Sequence, residues 1–308
     1  MTNVVISILA ALALAVVLEI LRNRKVRFRT LRIPSEYAAA LNEKAEIGIL
    51  HISDIHLTSS TLHRLKPLER LAEKQWDFIF ITGDLIDDES GIEPVCEALG
   101  RLRARYGKYA VLGNHDYICF RARNIFQWFR VLIYPVTGSP PSFCAKNDIE
   151  PLADCLEQNG IKLLRNQLEE GVTESGGKFQ IIGIDDPSTE RDKPYGLYQF
   201  VNEDAFRLVI MHSPRRLQAI HLFKPDLVLC GHTHGGQIRL PFFGALSTHS
   251  DASRRESSGL VFLGGCRVHI SPGIGSGSVL PIRILSQPEI TEIILEQSNS
   301  VTGFRQGE

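Results

Sequence analysis

Two histidines one residue apart follow a short apolar run in the C-terminal half of the chain. His232 and His234 lie in the sequence Gly-His-Thr-His-Gly-Gly, directly after the run at 227–230. Imidazole nitrogens are common metal ligands, and the flanking glycines allow the backbone to turn tightly near an ion. Two histidines do not complete a metal site, so the sequence predicts further ligands elsewhere in the chain.

Polar residues also follow other short apolar runs. Runs rich in Ile, Val and Phe, at 47–52, 78–81, 109–112, 179–184 and 206–211, are typical of buried strands. Helical patterns at 62–75, 92–106 and 149–159 lie between several of them, and the segments 281–285 and 289–295 resemble closing strands. The pattern predicts an α/β domain of two packed sheets with helices outside, and a site beyond the strand ends. The residues at those ends are Asp54, His56, Asp84, Asn114, His115, His212, His232 and His234.

The donor types in this set define the class of metal. Carboxylate, amide and imidazole groups without a thiolate suit Mn, Fe, Zn or Mg. Even if one of these eight residues carries a proton instead, the seven remaining ligands are too many for one ion, and two ions would share a ligand, most simply a carboxylate. Paired ions about 3.5–4 Å apart are a common device for cleaving phosphoesters.

The order of these residues along the chain resembles a known family. Its motifs are Asp54-x-His56, Gly83-Asp84-x-x-Asp87, Gly113-Asn114-His115-Asp116, His212 and Gly231-His232-x-His234. Together they resemble the calcineurin-like metallophosphoesterases over residues 46–295. The resemblance implies a four-layer α-β-β-α sandwich and two divalent ions, with Mn the favoured ion and Fe, Zn or Mg as alternatives.

The resemblance also implies a role for each residue. Asp84 would bridge the ions, and Asp87 would lie behind the ligands. His115 would donate a proton to the leaving oxygen or stabilise it, with Asp116 steering its ring. Two cations would lower the pKa of a shared water, making hydroxide available to cleave a phosphoester or pyrophosphate bond. The first ion would be held by Asp54, His56 and His234, and the second by Asn114, His212 and His232.

The N-terminal segment predicts a membrane anchor. Residues 4–21 are apolar except for Ser7 and Glu19, a length of about 27 Å as a helix. Five basic residues follow this segment and none precedes it. The positive-inside rule then places the rest of the chain in the cytoplasm. We predict an anchor at 1–29, a linker at 30–45 and the catalytic domain at 46–308; a cleaved signal peptide or a buried core helix are the alternatives.

A segment at 117–148 is longer than a compact domain of this family needs. Its aromatic residues and arginines alternate directly after His115, which is typical of an interfacial helix or lid facing acyl chains and headgroups. An amphipathic helix packed on the domain itself is the alternative. The candidate substrate contacts are Phe120, Arg121, Arg123, Phe126 and Trp128.

Two further motifs resemble the membrane-associated branch of the family. They are Pro-Phe-Phe-Gly at 241–244 and Pro-Ile-Arg at 281–283. The resemblance implies a bilayer and a lipid-linked phosphate as partners, for example UDP-2,3-diacylglucosamine, which is split to UMP and a lipid monophosphate in lipid A synthesis. The alternatives are a phosphodiesterase acting on a soluble nucleotide or a cell-wall-linked phosphate, and a non-catalytic scaffold at the membrane.

Composition excludes other classes of function. The 308 residues carry a net charge of −1, whereas nucleic-acid-binding domains are usually basic. A DNA nuclease of the same superfamily is therefore disfavoured, and no nucleic-acid partner is expected. The six cysteines show no Cys-x-x-Cys spacing, so neither a zinc ribbon nor a redox motif is expected.

Overall fold

Two six-stranded sheets form the centre of the domain. The computed structural model describes residues 18–19, 25–119, 145–248, 250–276 and 282–297. In spatial order, the first sheet consists of β1 (Arg27–Ser35), β18 (Glu289–Gln297), β2 (Glu46–Ile52), β4 (Phe78–Thr82), β6 (Lys108–Val111) and β9 (Lys162–Leu163). The second consists of β10 (Gln167–Val172), β11 (Lys178–Ile184), β12 (Phe206–Met211), β13 (Leu227–Cys230), β17 (Cys266–Ile270) and β16 (Gly259–Leu263).

Short elements complete the described structure. Three small pairs of strands are β3 (Gln75–Trp76) with β5 (Arg103–Ala104), β7 (Ile118–Cys119) with β8 (Ala145–Lys146), and β14 (Arg239–Leu240) with β15 (Gly244–Ala245). The α-helices are α1 (Ala38–Leu41), α2 (Lys66–Glu69), α3 (Ile92–Gly100), α4 (Asn114–Tyr117), α5 (Glu150–Gln158) and α6 (Leu217–His221). Turns of 3₁₀ helix span Leu62–Leu65, Glu89–Gly91, Pro187–Thr189, Pro194–Phe200 and His234–Gly236.

Side-chain alternation explains the layers. In β4 the side chains of Phe78 and Phe80 point into the core between the two sheets, whereas Ile79 and Ile81 belong to the core under the helices. A strand that is apolar at every position is expected where both faces of a sheet are covered. Helices α3 and α5 pack on the first sheet and α6 on the second. The predicted α/β fold, with two packed sheets and outer helices, is confirmed.

Strand direction determines where the polar residues gather. Strands β2, β4 and β6 pair in parallel, as do β12 and β13. Since the carboxyl ends of parallel strands meet at one edge of a sheet, the loops after these strands meet as well. These loops carry the predicted ligands of both halves of the chain.

The predicted linker at 30–45 is part of the domain instead. Strand β1 pairs in parallel with β18 over nine positions, from Arg27 to Ser35, and α1 buries Ala38 and Leu41. The helices predicted at 62–75 and 92–106 are both shorter than expected. The first is reduced to the 3₁₀ turn at Leu62–Leu65 and helix α2 at Lys66–Glu69. The second, α3, ends at Gly100, whose carbonyl oxygen accepts a hydrogen bond from Lys108. The strand predicted at 281–285 is reduced, within its described residues, to a single bridge between Ile284 and Ile238.

Two predicted membrane-facing segments lie largely outside the described residues. Of the apolar segment at 4–21 only Leu18 and Glu19 are described, and of the segment at 117–148 only its two ends. All five candidate substrate contacts, from Phe120 to Trp128, lie outside the described residues. Among the residues that are described, no helix combines the length and apolarity needed to cross a bilayer.

Candidate metal centre

The loops after the parallel strands bring two groups of ligand atoms together. One group comprises Asp54, His56, Asp84 and His234, and the other Asp84, His212 and His232; within each, the atoms lie within 4.8 Å of one another. Asp84 belongs to both groups. Its Oδ2 lies 3.4 Å from Nε2 of His56 and 3.2 Å from Nε2 of His212. The sequence placed these residues in separate motifs, and the fold joins them at one carboxylate.

The backbone at the site adopts an unusual conformation. Residues other than glycine rarely adopt positive φ angles, and such residues concentrate at functional sites. Glycines allow the loops to approach one another, because a Cβ at Gly113 would collide with the Asp84 carboxylate and one at Gly231 with Ser53. The predicted ligands with φ between 50° and 70° are Asp54, His56, Asp84, His232 and His234.

The histidine rings are oriented so that ring nitrogens of neighbouring histidines face one another. Nδ1 of His56 lies 2.8 Å from Oδ1 of Asp87, and Nδ1 of His212 lies 2.7 Å from the carbonyl oxygen of Thr82. Since these oxygens can only accept, both Nδ1 atoms carry a proton, and each Nε2 faces the neighbouring ligands. Nε2 of His56 lies 3.1 Å from Nε2 of His234, and Nε2 of His212 lies 3.1 Å from Nδ1 of His232. Ring nitrogens that converge in this way fit a cation.

Asn114 completes the set of oxygen donors. Its side-chain Oδ1 is buried and has no hydrogen-bond partner among the described residues. A buried amide oxygen without a partner is costly, whereas it is a good ligand for a hard or borderline divalent ion. The residues present therefore fit two divalent ions that share Asp84.

Neighbouring charges oppose the effect of burial on the pKa values of Asp84 and His115. Burial alone would raise the pKa of Asp84, but the imidazoles of His212 and His115 hold it well below its ordinary value. Conversely, burial disfavours a charge on His115, but the carboxylates of Asp84 and Asp87 raise its pKa to about 9. Burial raises the pKa of Asp54 and lowers that of His234. Buried acidic and basic groups with pKa values shifted in this way are typical of a functional site.

The residue that orients His115 is Asp87, not Asp116. Nδ1 of His115 lies 2.9 Å from Oδ1 of Asp87. The Asp116 carboxylate instead accepts hydrogen bonds from the backbone N–H groups of Gly113, Leu85 and Ile86, at 2.8–3.1 Å. The predicted role of Asp116 in steering the His115 ring is therefore wrong. Asp116 holds the two ligand-bearing loops together, because its short side chain, one residue beyond His115, reaches those N–H groups.

A chain of buried side chains, which sequence reasoning missed, leads to Asp54. Ser53 donates to Oδ2 of Asp54 at 2.5 Å, and Thr82 donates to Ser53 at 2.8 Å. Because the Thr82 proton is used, Nε2 of His51, 2.9 Å away, donates to Thr82. His51 then accepts at Nδ1 from Nδ1 of His269, 2.8 Å away. The only sequence signal is the position of His51, three residues before Asp54 and near the end of the strand that leads to it.

Arg283 is a second residue with an unpredicted position. It is buried beside His234, with Nη2 3.1 Å from Nδ1 of that ring, and it donates to the carbonyl oxygens of Pro272 and Gly275. Burial lowers its pKa to about 9. The sequence motif Pro-Ile-Arg marked the residue, but nothing in the sequence placed it against the metal ligands.

Comparison with known proteins identifies the family. The family model of the calcineurin-like phosphoesterases matches residues 47–236, the part of the chain that carries every predicted ligand. The chain belongs to this family. Its membership agrees with the buried Asp and His cluster, and together they indicate a site for two divalent ions.

Several phosphoesterases of this family are similar in sequence. The metallophosphoesterase YkoQ of Bacillus subtilis is 31% identical over 294 residues, which are 92% of this chain and 98% of that protein. The phosphodiesterase YaeI of Escherichia coli is 28% identical over 60% of this chain and 69% of its own length. The UDP-2,3-diacylglucosamine pyrophosphatase LpxG of Chlamydia muridarum is 27% identical over 68% of this chain and 69% of its own length.

Proposed function

We propose that this phosphoesterase is a metal-dependent hydrolase that uses two divalent ions, Mn being the favoured ion, to cleave a phosphoester or pyrophosphate bond. The observation that carries the proposal is the position of Asp84, whose Oδ2 lies within 3.4 Å of a ring nitrogen from each ligand group. When bound, two such ions lower the pKa of a water molecule and neutralise charge on the phosphoryl group. Asp54, His56 and His234 would hold the first ion, Asn114, His212 and His232 the second, and Asp84 both.

His115 is the proposed acid. Its side chain is 12% exposed, in contrast to the fully buried ring of His56. With a pKa raised to about 9 it is protonated near neutral pH, as a proton donor to a leaving oxygen must be. A positioned acid contributes about 10²–10⁴-fold to rate. Asp87 holds the ring by its Nδ1–H, so the proton for the leaving oxygen would come from the other ring nitrogen, Nε2.

The proposed substrate is a lipid-linked phosphate, such as UDP-2,3-diacylglucosamine, cleaved to UMP and a lipid monophosphate. Support comes from the similarity to the chlamydial pyrophosphatase and from the apolar segment at 4–21, followed by basic residues. That segment would anchor the chain in the membrane with the catalytic domain facing the cytoplasm. The segment at 117–148 would contact the acyl chains. The similarity to the phosphodiesterase YaeI favours the alternative, a phosphodiesterase acting on a soluble or cell-wall-linked phosphate.

Substitution of the shared carboxylate tests the proposal. The full chain, solubilised in detergent, is stripped of metal with a chelator, reloaded with Mn and assayed on bis-p-nitrophenyl phosphate and on UDP-2,3-diacylglucosamine. We expect Asp84→Asn to bind fewer ions and to lose more than about 100-fold in rate, since even residues behind the ligands are worth about 10–100-fold. The matched control is Asp204→Asn, in an exposed turn remote from the ligands, which should behave as the wild type.

The outcomes separate the alternatives. Equal rates for Asp84→Asn and the wild type would refute the site. Cleavage of the diester without cleavage of the lipid would refute only the lipid substrate and support the soluble or cell-wall-linked alternative. Tight Mn binding without hydrolysis of either compound would support the non-catalytic scaffold.

A further inference from the structure

A hairpin close to the metal centre exposes large apolar side chains. Strands β14 and β15 are joined by the three residues at 241–243, and the side chains of Phe242 and Phe243 are 97% and 70% exposed. Phe242 also has φ of 70°, a conformation that is a genuine outlier for a bulky residue. Because the Phe242 side chain is almost fully exposed, it contributes little packing to the isolated domain, and little within the described residues offsets the strain in its backbone. Such a residue is typical of a contact with another molecule.

The apolar surface extends beyond the hairpin tip. Leu240 and Leu246 flank the hairpin and are about half exposed. The backbone N–H of Arg239 donates to the carbonyl oxygen of Ile284, and Leu285 beside it is also exposed. The hairpin and the strip at 282–285 thus form one surface, which we call the hairpin face and define by Leu240, Phe242, Phe243, Leu246, Ile282 and Leu285.

The hairpin face adjoins the end of the N-terminal apolar segment. The backbone N–H of Leu285 donates to Oε1 of Glu19 at 3.0 Å, and Gln287 donates to the carbonyl oxygen of Lys25 at 3.1 Å. Glu19 lies near the C-terminal end of the apolar stretch at 4–21. If that stretch enters a bilayer, these contacts place the hairpin face at the bilayer surface.

Basic residues surround the same place. A cleft of about 230 Å³ between the hairpin and the start of β1 is lined by Arg27, Arg29 and Arg239, and by Glu19 and Glu289. Arg22, Arg24 and Lys25 precede them in the sequence. Surfaces that combine exposed aromatic and aliphatic side chains with Lys and Arg bind the interface of bilayers containing anionic lipid.

We propose that the hairpin face is a second membrane contact, in which Phe242 and Phe243 insert into the interface of an anionic bilayer and the neighbouring arginines face its headgroups. The hairpin begins five residues after the metal ligand His234, and Arg239 donates to the carbonyl oxygen of Gly235 at 3.0 Å. Insertion therefore fixes the metal centre close to the lipid surface. The inference rests on the proposed membrane localisation but not on hydrolysis, so its test needs no turnover.

Fluorescence quenching in vesicles tests the contact. The full chain is reconstituted into vesicles of phosphatidylcholine and phosphatidylglycerol as the wild type, as Phe242→Trp and as the matched control Tyr195→Trp. Tyr195 is 74% exposed on a 3₁₀ turn that packs on α6 through Tyr198. The wild-type emission of the two native tryptophans is subtracted, and equal melting temperatures establish that the variants fold.

Phospholipids brominated near the headgroup end of the acyl chain supply the readout. Because interfacial side chains lie about 5–10 Å into the headgroup boundary, we expect the added emission of Phe242→Trp to fall by about half or more, and that of Tyr195→Trp to stay unchanged. Equal quenching of the two variants would overturn the proposal. So would a Phe242→Trp emission protected from both brominated lipid and aqueous acrylamide, because it would show that protein covers the hairpin. Quenching that does not weaken when phosphatidylglycerol is omitted would overturn the role of the arginines.

Discussion

The rings of His51 and His269 meet across the two sheets, with their Nδ1 atoms 2.8 Å apart. His51 lies on β2 and His269 on β17, and both are fully buried. Burial, together with the neighbouring ring, holds the pKa of His51 well below its ordinary value, and burial lowers that of His269 to about 3. Both rings are therefore neutral, and every hydrogen bond from His269 through His51, Thr82 and Ser53 points toward the carboxylate of Asp54.

Replacement of His51 tests whether this chain supports the metal ligand. In His51→Asn the side chain is too short to donate to Thr82, so we expect Mn affinity to fall about 10–100-fold, as for other residues behind metal ligands. In His51→Gln the amide nitrogen reaches the place of Nε2, and affinity should largely recover. Calorimetric titration of the metal-free chain with Mn measures both. Equal affinities for the Asn and Gln variants would contradict this role.

The same pair predicts an acid-sensitive fold. His269 has a folded-state pKa of about 3 and an unfolded value of about 6.5. Between these pH values the unfolded chain binds more protons, so stability rises with pH and is lost as the pH falls below about 6.5. We expect His269→Leu to reduce the slope of unfolding free energy against pH by about 1.4 kcal/mol per pH unit, the contribution of one proton.

Urea unfolding of metal-free wild type and His269→Leu between pH 7 and pH 4.5 measures this slope. The difference between the two chains removes the contribution of the histidines outside this pair, and burial, the larger cause of the low pKa of His51, keeps that ring neutral in both chains. Parallel stability curves for the two chains would show that His269 takes up a proton in the folded state, contrary to its burial.

Removal of the Asp87 charge should impair catalysis more than folding. In Asp87→Asn the rings of His56 and His115 lose the carboxylate that lies 2.8 and 2.9 Å from their Nδ1 atoms. We expect kcat to fall about 10–100-fold. The alkaline limb of the pH–rate profile should move to lower pH, because Asp87 is one of the two carboxylates that raise the pKa of His115. Asp88→Asn, which alters the adjacent carboxylate that caps Ser90, is the control and should leave the profile in place.

Asp116 should matter for stability instead. Its two oxygens accept three backbone N–H groups, and the amide of Asp116→Asn would present a donor to at least one of them. A buried donor left without a partner costs about 1–3 kcal/mol, so the melting temperature should fall. Differential scanning calorimetry measures the loss. A variant with unchanged melting temperature but strongly reduced kcat would restore the role of Asp116 in steering His115.

The sequence by itself determined the local elements and the ligands. The apolar runs at 47–52, 78–81 and 206–211 become strands β2, β4 and β12, because a strand buried on both faces is apolar at most positions. The polar residues after these runs become the site, because parallel strands end at one edge. Their types and order resemble a family whose membership the comparisons show, and that resemblance implied that Asp84 is shared.

Only the tertiary structure decided which side chain supports which. Arg27 pairs with Glu289 in strands 262 residues apart, and no local pattern distinguishes such an edge strand from a linker. Asp87 and Asp116 are both acidic residues of the motifs, and only the direction of each side chain shows that Asp87 holds the His115 ring and that Asp116 holds backbone N–H groups. The contact between His51 and His269 has the same origin, because it forms where two sheets pack, and packing is a property of the whole chain.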